Sequence, residues 1–145
     1  MKYICPLCSI DPLSHSLSEV CEKNNIIYYY TCPSKAKMYF DTLGIINHYD
    51  GVLSEIPENK KWIWIFDGTK FDLKHLFQIE VAIELAKLIS SKFSEKLEKI
   101  IIINPNFYIK SVYNIIYPFL NVKMKTIIEL NYVFKSVNEI IKLYI

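Results

Sequence analysis

Two unbroken apolar runs, Trp62–Phe66 and Ile100–Ile103, do most to limit what this chain can fold into. Both are far too short to cross a membrane. Lys61 and Asp67–Gly68 bound the first, and Asn104–Pro105 closes the second. A strand with one wet face alternates apolar and polar residues, whereas a run with no polar member belongs in a sheet covered on both faces.

Helical patterns separate these runs. Ile26–Thr31 is β-branched and aromatic, and reads as a strand. Thr42–Ile56 reads as a helix stopped by Pro57. Asp72–Phe93 is predicted as one long helix, with Glu80, Glu84, Lys87, Ser91 and Glu95 as a narrow polar stripe. Phe107–Tyr117 gives another helix, up to Pro118, and Thr126–Leu130 a fourth strand. Asn131 is expected to cap a last helix whose Val133, Val137, Ile140, Ile141 and Tyr144 share a face. The order predicts an α/β fold, a small and mostly parallel sheet flanked by helices.

The predicted domain is 26–145, preceded by a cysteine-containing segment, 1–25. Within that segment Pro6 and Pro12 argue against regular structure, and Leu17–Lys23 is expected to form a short helix ended by Asn24–Asn25. Cys5-Pro-Leu-Cys8 admits three readings. The pair can chelate zinc, with His15 and either Cys21 or Cys32 completing a tetrahedron. It can be a redox pair. The preferred reading is reduced thiols packed as small apolar groups.

Composition narrows function. At 145 residues with 52% hydrophobic and 14% aromatic residues, the chain is one well-filled domain and not a disordered one. All 17 basic residues are lysine, scattered among acids to a net charge of +2, so nucleic-acid binding is not expected. The wealth of Ile, Lys, Asn and Tyr fits AT-rich coding, as in a giant virus or an AT-rich protist. No secretory signal is recognised, and a soluble cytoplasmic protein is expected. There is no G-x-S-x-G, no H-E-x-x-H and no glycine-rich phosphate loop, with only 3 glycines in all. His15, His48 and His75 are far apart in sequence, and Asp67 reads as the cap of the following turn. An enzyme is not expected.

One ordered set of residues carries more. Phe93-Ser94-Glu95-Lys96 leads into the Ile100–Ile103 run, which ends in Asn104-Pro105; Tyr117-Pro118-Phe119-Leu120 closes the next helix, and Lys123–Lys125 precede the fourth strand. Upstream, the Trp62–Asp67 run is followed by Gly68. This set resembles the core block of CRAL-TRIO lipid-binding domains: a Tyr-Pro-Glu-Arg turn, an apolar strand ending Ile-Asn-x-Pro, a helix running to Lys-Pro-Phe-Leu, then a basic stretch. The likeness covers about 26–145. Ser94 and Lys96 replace the turn's proline and arginine, and Pro105 comes one residue early. The lysines and threonine of phosphoinositide-binding members have no clear place here.

The resemblance implies an apolar cavity that binds, and transfers, a phospholipid or other hydrophobic ligand, gated by the helix at 106–120. It implies lining by Ile63, Ile65, Phe77, Ile101, Ile103, Phe107, Val112, Tyr113, Ile116 and Phe119, with Glu95 and Lys96 near a headgroup. Lys96, Lys99, Lys123 and Lys125 are candidates for a basic rim. The expected partners are a lipid and, transiently, a membrane surface. No cofactor beyond the bound lipid is expected, zinc at Cys5, Cys8 and His15 being the alternative. A second reading keeps the fold but fills the cavity, leaving a protein-interaction module.

Overall fold

A computed structural model describes residues 3–11 and 14–144 of the chain. Five strands form one sheet in the order β1 (Ser18–Lys23), β2 (Ile26–Thr31), β3 (Lys61–Asp67), β4 (Leu97–Ile103) and β5 (Ile128–Asn131). β1 is antiparallel to β2, and every other pair is parallel. The α/β class and the mostly parallel sheet are as expected.

β1 occupies the stretch expected to be helical. Asn24 and Asn25 sit at φ of 55° and 64°, the left-handed pair that a tight hairpin turn needs. They therefore join two strands and do not end a helix. On a sheet edge β1 buries little, so it lacks an apolar signature, and the turn was its readable signal. Asn25→Gly, which removes the Cβ penalty at positive φ, is expected to hold or raise the midpoint of urea unfolding. Asn25→Val should lower stability by about 1–2 kcal/mol.

The parallel strands follow one another in chain order, so each crossover steps the same way along the sheet. With the usual right-handed crossover, every connecting helix then lands on one face. The packing agrees. Helices α2 (Thr42–Ser54), α4 (Ile79–Leu88), α5 (Phe107–Ile116) and α6 (Val122–Ile127) share one core with Ile27, Tyr29, Trp62, Trp64, Ile100 and Ile102 of the sheet. The opposite face holds a smaller cluster of Tyr28, Ile63, Ile65, Ile101 and Ile103. Ile140 of α7 (Val137–Tyr144), fully buried, covers it.

Other boundaries shift for local reasons. Pro6 does not prevent a helix; it starts the short α1 (Pro6–Ile10), where its missing N–H costs nothing. Pro12 lies outside the described residues. The long helix expected over 72–93 is broken into α3 (Leu73–Leu76) and α4, which runs on as a wide turn over Ile89–Phe93. Glu95 falls beyond it, off the polar stripe. Thr126 belongs to α6 rather than to the fourth parallel strand, which starts at Ile128. Asn131 accepts hydrogen bonds from the Val133 and Phe134 amides at 2.9 Å each, and so shapes a turn instead of capping α7.

Candidate functional site

Between the helix-covered face and α5 lies an apolar cavity. Trp64, Phe66, Ile100 and Ile102 form its floor, Val112, Tyr113 and Ile116 of α5 one wall, and Leu85 and Ala86 of α4 another. The cavity has a volume of about 100 Å³ and is partly open to solvent. At one corner Trp64 Nε1 donates to Thr31 Oγ1 at 2.9 Å. Thr31 and Tyr49 hydroxyls bond at 2.8 Å, and Tyr49 donates to the Ser16 carbonyl at 3.3 Å. The chain satisfies every polar group at that corner, as burial in a low-dielectric site requires. Burial holds the Tyr49 phenol well above its ordinary pKa, so it stays a neutral donor.

The α5 segment is pinned at both ends and oily between them. At the start, Asn106 Oδ1 accepts from the Ile109 amide at 3.0 Å and its Nδ2 donates to the Phe71 carbonyl at 2.8 Å. At the far end, Asn121 Oδ1 accepts from the Met124 amide at 2.8 Å. Its Nδ2 donates to the Ser90 carbonyl and Ser94 Oγ, each at 2.8 Å. Ser111, within α5, donates back to the Phe107 carbonyl of its own helix, at 3.0 Å. Contacts to neighbouring elements include Lys110 over the Tyr132 ring and Lys87 over the Phe119 ring, at 5.2 Å each. Such contacts and apolar packing slide more readily than buried hydrogen bonds. The outward side carries exposed apolar residues, Phe107 at 73% and Ile115 at 44%, beside the exposed Lys110 and Asn114.

Residues 44–142 match the CRAL/TRIO domain family. The chain belongs to the CRAL/TRIO family. Members of that family typically bind small lipophilic ligands. Comparison with curated proteins finds no match to the chain. Among the described residues no helix is long and apolar enough to cross a membrane.

The CRAL/TRIO motifs have visible structural work. Asp67, at the end of β3, accepts from Tyr30 Oη at 2.6 Å, Thr69 N at 2.9 Å, Thr69 Oγ1 at 2.6 Å and Asn104 Nδ2 at 3.0 Å. It does cap the following turn. Burial alone would raise its pKa, but the hydrogen bonds from Thr69, Tyr30 and Asn104 outweigh that and hold it low. Asn104 takes a left-handed φ of 50° and also reaches the Lys135 carbonyl at 2.9 Å, joining the ends of β3 and β4 to the turn before α7. A Cβ on Gly68 would stand 2.6 Å from the Asn104 carbonyl oxygen, so a glycine is needed there.

Of the residues that the resemblance implied as lining, Val112, Tyr113 and Ile116 face the cavity. Ile63, Ile65, Ile101 and Ile103 lie on the opposite face of the sheet, under α7. Phe77 and Phe107 are exposed at 72% and 73%, and Phe119 is 38% exposed. The strand residues at the cavity are the alternate set, Trp64, Phe66, Ile100 and Ile102. Since both sets are apolar, period-2 reasoning had no basis for choosing between them.

Glu95 and Lys96 lie off the cavity lining. Lys96 Nζ is 3.4 Å from Glu58 Oε2 and donates to the Pro57 carbonyl at 3.3 Å. Lys99 pairs with Glu129 at 2.9 Å, Lys123 donates to the Glu95 carbonyl at 2.6 Å, and Lys125 sits over the Tyr117 ring at 4.5 Å. Each lysine of the expected rim thus has a neighbour within the chain. Near the start of the chain, Cys5, Cys8 and His15 do come together, and His48 of α2 joins them in place of Cys21 or Cys32. His48 is 40 positions from Cys8, and no local spacing announces it.

Proposed function

We propose that the protein is a non-catalytic carrier of one long hydrophobic molecule, held between the sheet and α5. The observation that carries this reading is the apolar hollow, floored by Trp64, Phe66, Ile100 and Ile102 and walled by Val112, Tyr113 and Ile116. Each buried methylene contributes about 0.8 kcal/mol, so a chain of a dozen carbons supplies about 10 kcal/mol before association costs.

The cavity's 100 Å³ is less than the roughly 150 Å³ that accepts a benzene ring. Loading therefore requires α5 to swing outward between Asn106 and Asn121, widening the hollow toward its mouth. The exposed Phe107 and Ile115 on the swinging segment, with Val122 just past its far end, offer apolar side chains suited to transient contact with a membrane where lipid is exchanged.

Native mass spectrometry of the purified protein, with organic extraction, is expected to find about one lipid per chain. A fluorescent lipid should exchange into the extracted protein. The small volume favours the second reading, an interaction module with a filled cavity. An empty protein that also rejects fluorescent lipids would establish that reading over carriage.

A further inference from the structure

We propose that Cys5, Cys8, His15 and His48 bind one zinc ion. Their donor atoms all lie within 4.8 Å of one another. Cys5 Sγ is 3.3 Å from His15 Nδ1, while Cys8 Sγ is 3.6 Å from both His15 Nδ1 and His48 Nδ1. In a tetrahedral zinc centre, bonds of about 2.3 Å to sulfur and about 2.0–2.1 Å to nitrogen set S and N ligands about 3.6 Å apart. All three separations agree with that edge within a few tenths of an ångström. Two thiolates and two imidazoles make the closed ligand set of a structural zinc.

The imidazole orientations are an independent observation. His15 Nε2 is 3.1 Å from Asp41 Oδ2, and His48 Nε2 is 3.1 Å from the Leu17 carbonyl oxygen. Both outer partners only accept, so Nε2 carries the proton in each ring and the Nδ1 lone pair points at the thiols. Zinc-ligating histidines are held this way, by a carboxylate or a backbone carbonyl behind the ring. Asp41 is itself fixed, since its Oδ1 accepts from the Gly44 amide at 3.2 Å at the start of α2. A Cβ at Gly44 would overlap the Asp41 carboxylate and stand 2.8 Å from His15 Nε2.

Reduced thiols can use the two Nδ1 lone pairs one to one, Cys5 with His15 and Cys8 with His48, but that pairing leaves Cys8 equally close, at 3.6 Å, to the His15 Nδ1 it does not use. A cation at the centre satisfies all four donors at once. A dithiol redox pair needs one imidazole at most, to activate the attacking thiol, and leaves the second unused. The ion would clip the segment before β1 to α2. His15 and Ser16 also border the lipid cavity, so the clip braces one of its walls.

Cobalt(II) titration of the reduced full chain, followed by zinc(II), tests the site. One equivalent of cobalt should produce the strong visible bands of a tetrahedral ion and a thiolate charge-transfer band, both abolished by one equivalent of zinc. Zinc should also raise the melting temperature. Cys8→Ser and His48→Ala should weaken binding by at least 100-fold. Asp41→Asn should weaken it by about 10–100-fold, and Cys21→Ser should leave it unchanged. Should a ligand variant not fold, the stoichiometry and spectrum of the wild-type chain decide alone. Weak, non-stoichiometric binding without the charge-transfer band would overturn the proposal. So would a Cys5–Cys8 disulfide in protein purified without oxidant, or loss of the site in Cys21→Ser. None of these results depends on whether the cavity takes up lipid.

Discussion

Asp67→Ala is expected to lower the unfolding free energy by about 3 kcal/mol at neutral pH. Asp67 as a residue is only 5% exposed, and four hydrogen bonds converge on its carboxylate from Tyr30, the Thr69 amide and hydroxyl, and Asn104. Removing it takes the acceptor from the Tyr30 hydroxyl and from the Thr69 hydroxyl and amide, while Asn104 Nδ2 keeps the Lys135 carbonyl; each buried unpaired group costs about 1–3 kcal/mol, less where water enters. Asp67→Asn keeps an Oδ1 acceptor for Thr69 and Asn104 and turns its amide toward the Tyr30 hydroxyl, which can accept, so it should recover part of the loss. The pH dependence follows from the low pKa of the folded state. The unfolded carboxyl titrates near 4, about the ordinary aspartate value. Above that pH the network's contribution is fully present, and it is lost as pH falls through the lower folded value. Urea unfolding between pH 7 and pH 3 should therefore show wild type losing this part of its advantage over Asp67→Ala at the acid end. A wild-type chain no more stable than the variant at pH 7 would show that the network holds nothing.

Ala86→Phe is expected to reduce lipid uptake by about 10- to 100-fold. Ala86 is buried on α4 and borders the cavity opposite α5. A phenyl ring there takes much of the cavity's 100 Å³ in the closed form. Displacing three or four methylenes of a ligand forfeits about 2.5–3 kcal/mol, which is about a hundredfold in affinity. The ring's fit is imperfect, at an overpacking cost of about 1–3 kcal/mol that the fold should survive. Ile65→Val, a similarly buried change on the other face of the sheet, should leave uptake as it was. Fluorescent-lipid titrations with circular dichroism on both variants make the comparison. Equal uptake by Ala86→Phe and wild type would move the ligand site elsewhere.

Much of the architecture can be read from local patterns. Trp62–Phe66 and Ile100–Ile103 are central strands because no polar residue interrupts them, and the structure buries Trp62, Ile65, Ile101 and Ile103 almost completely. The ordered residues from Phe93 to Leu130 led to the CRAL/TRIO family, whose model residues 44–142 match. β1 escaped because an edge strand needs no apolar stripe, and α6 because a helix of 6 residues, under two turns, leaves almost no periodic trace.

Chain chemistry alone decided which segments form the four parallel strands and that the centre is oily on both sides. Tertiary structure alone decided which side of each central strand looks into the hollow. That depends on the crossovers all turning the same way, a property of the assembled sheet and not of any one strand. It also brought His48 to Cys5, Cys8 and His15, because a four-ligand cluster is a meeting of distant segments that spacing along the chain does not record.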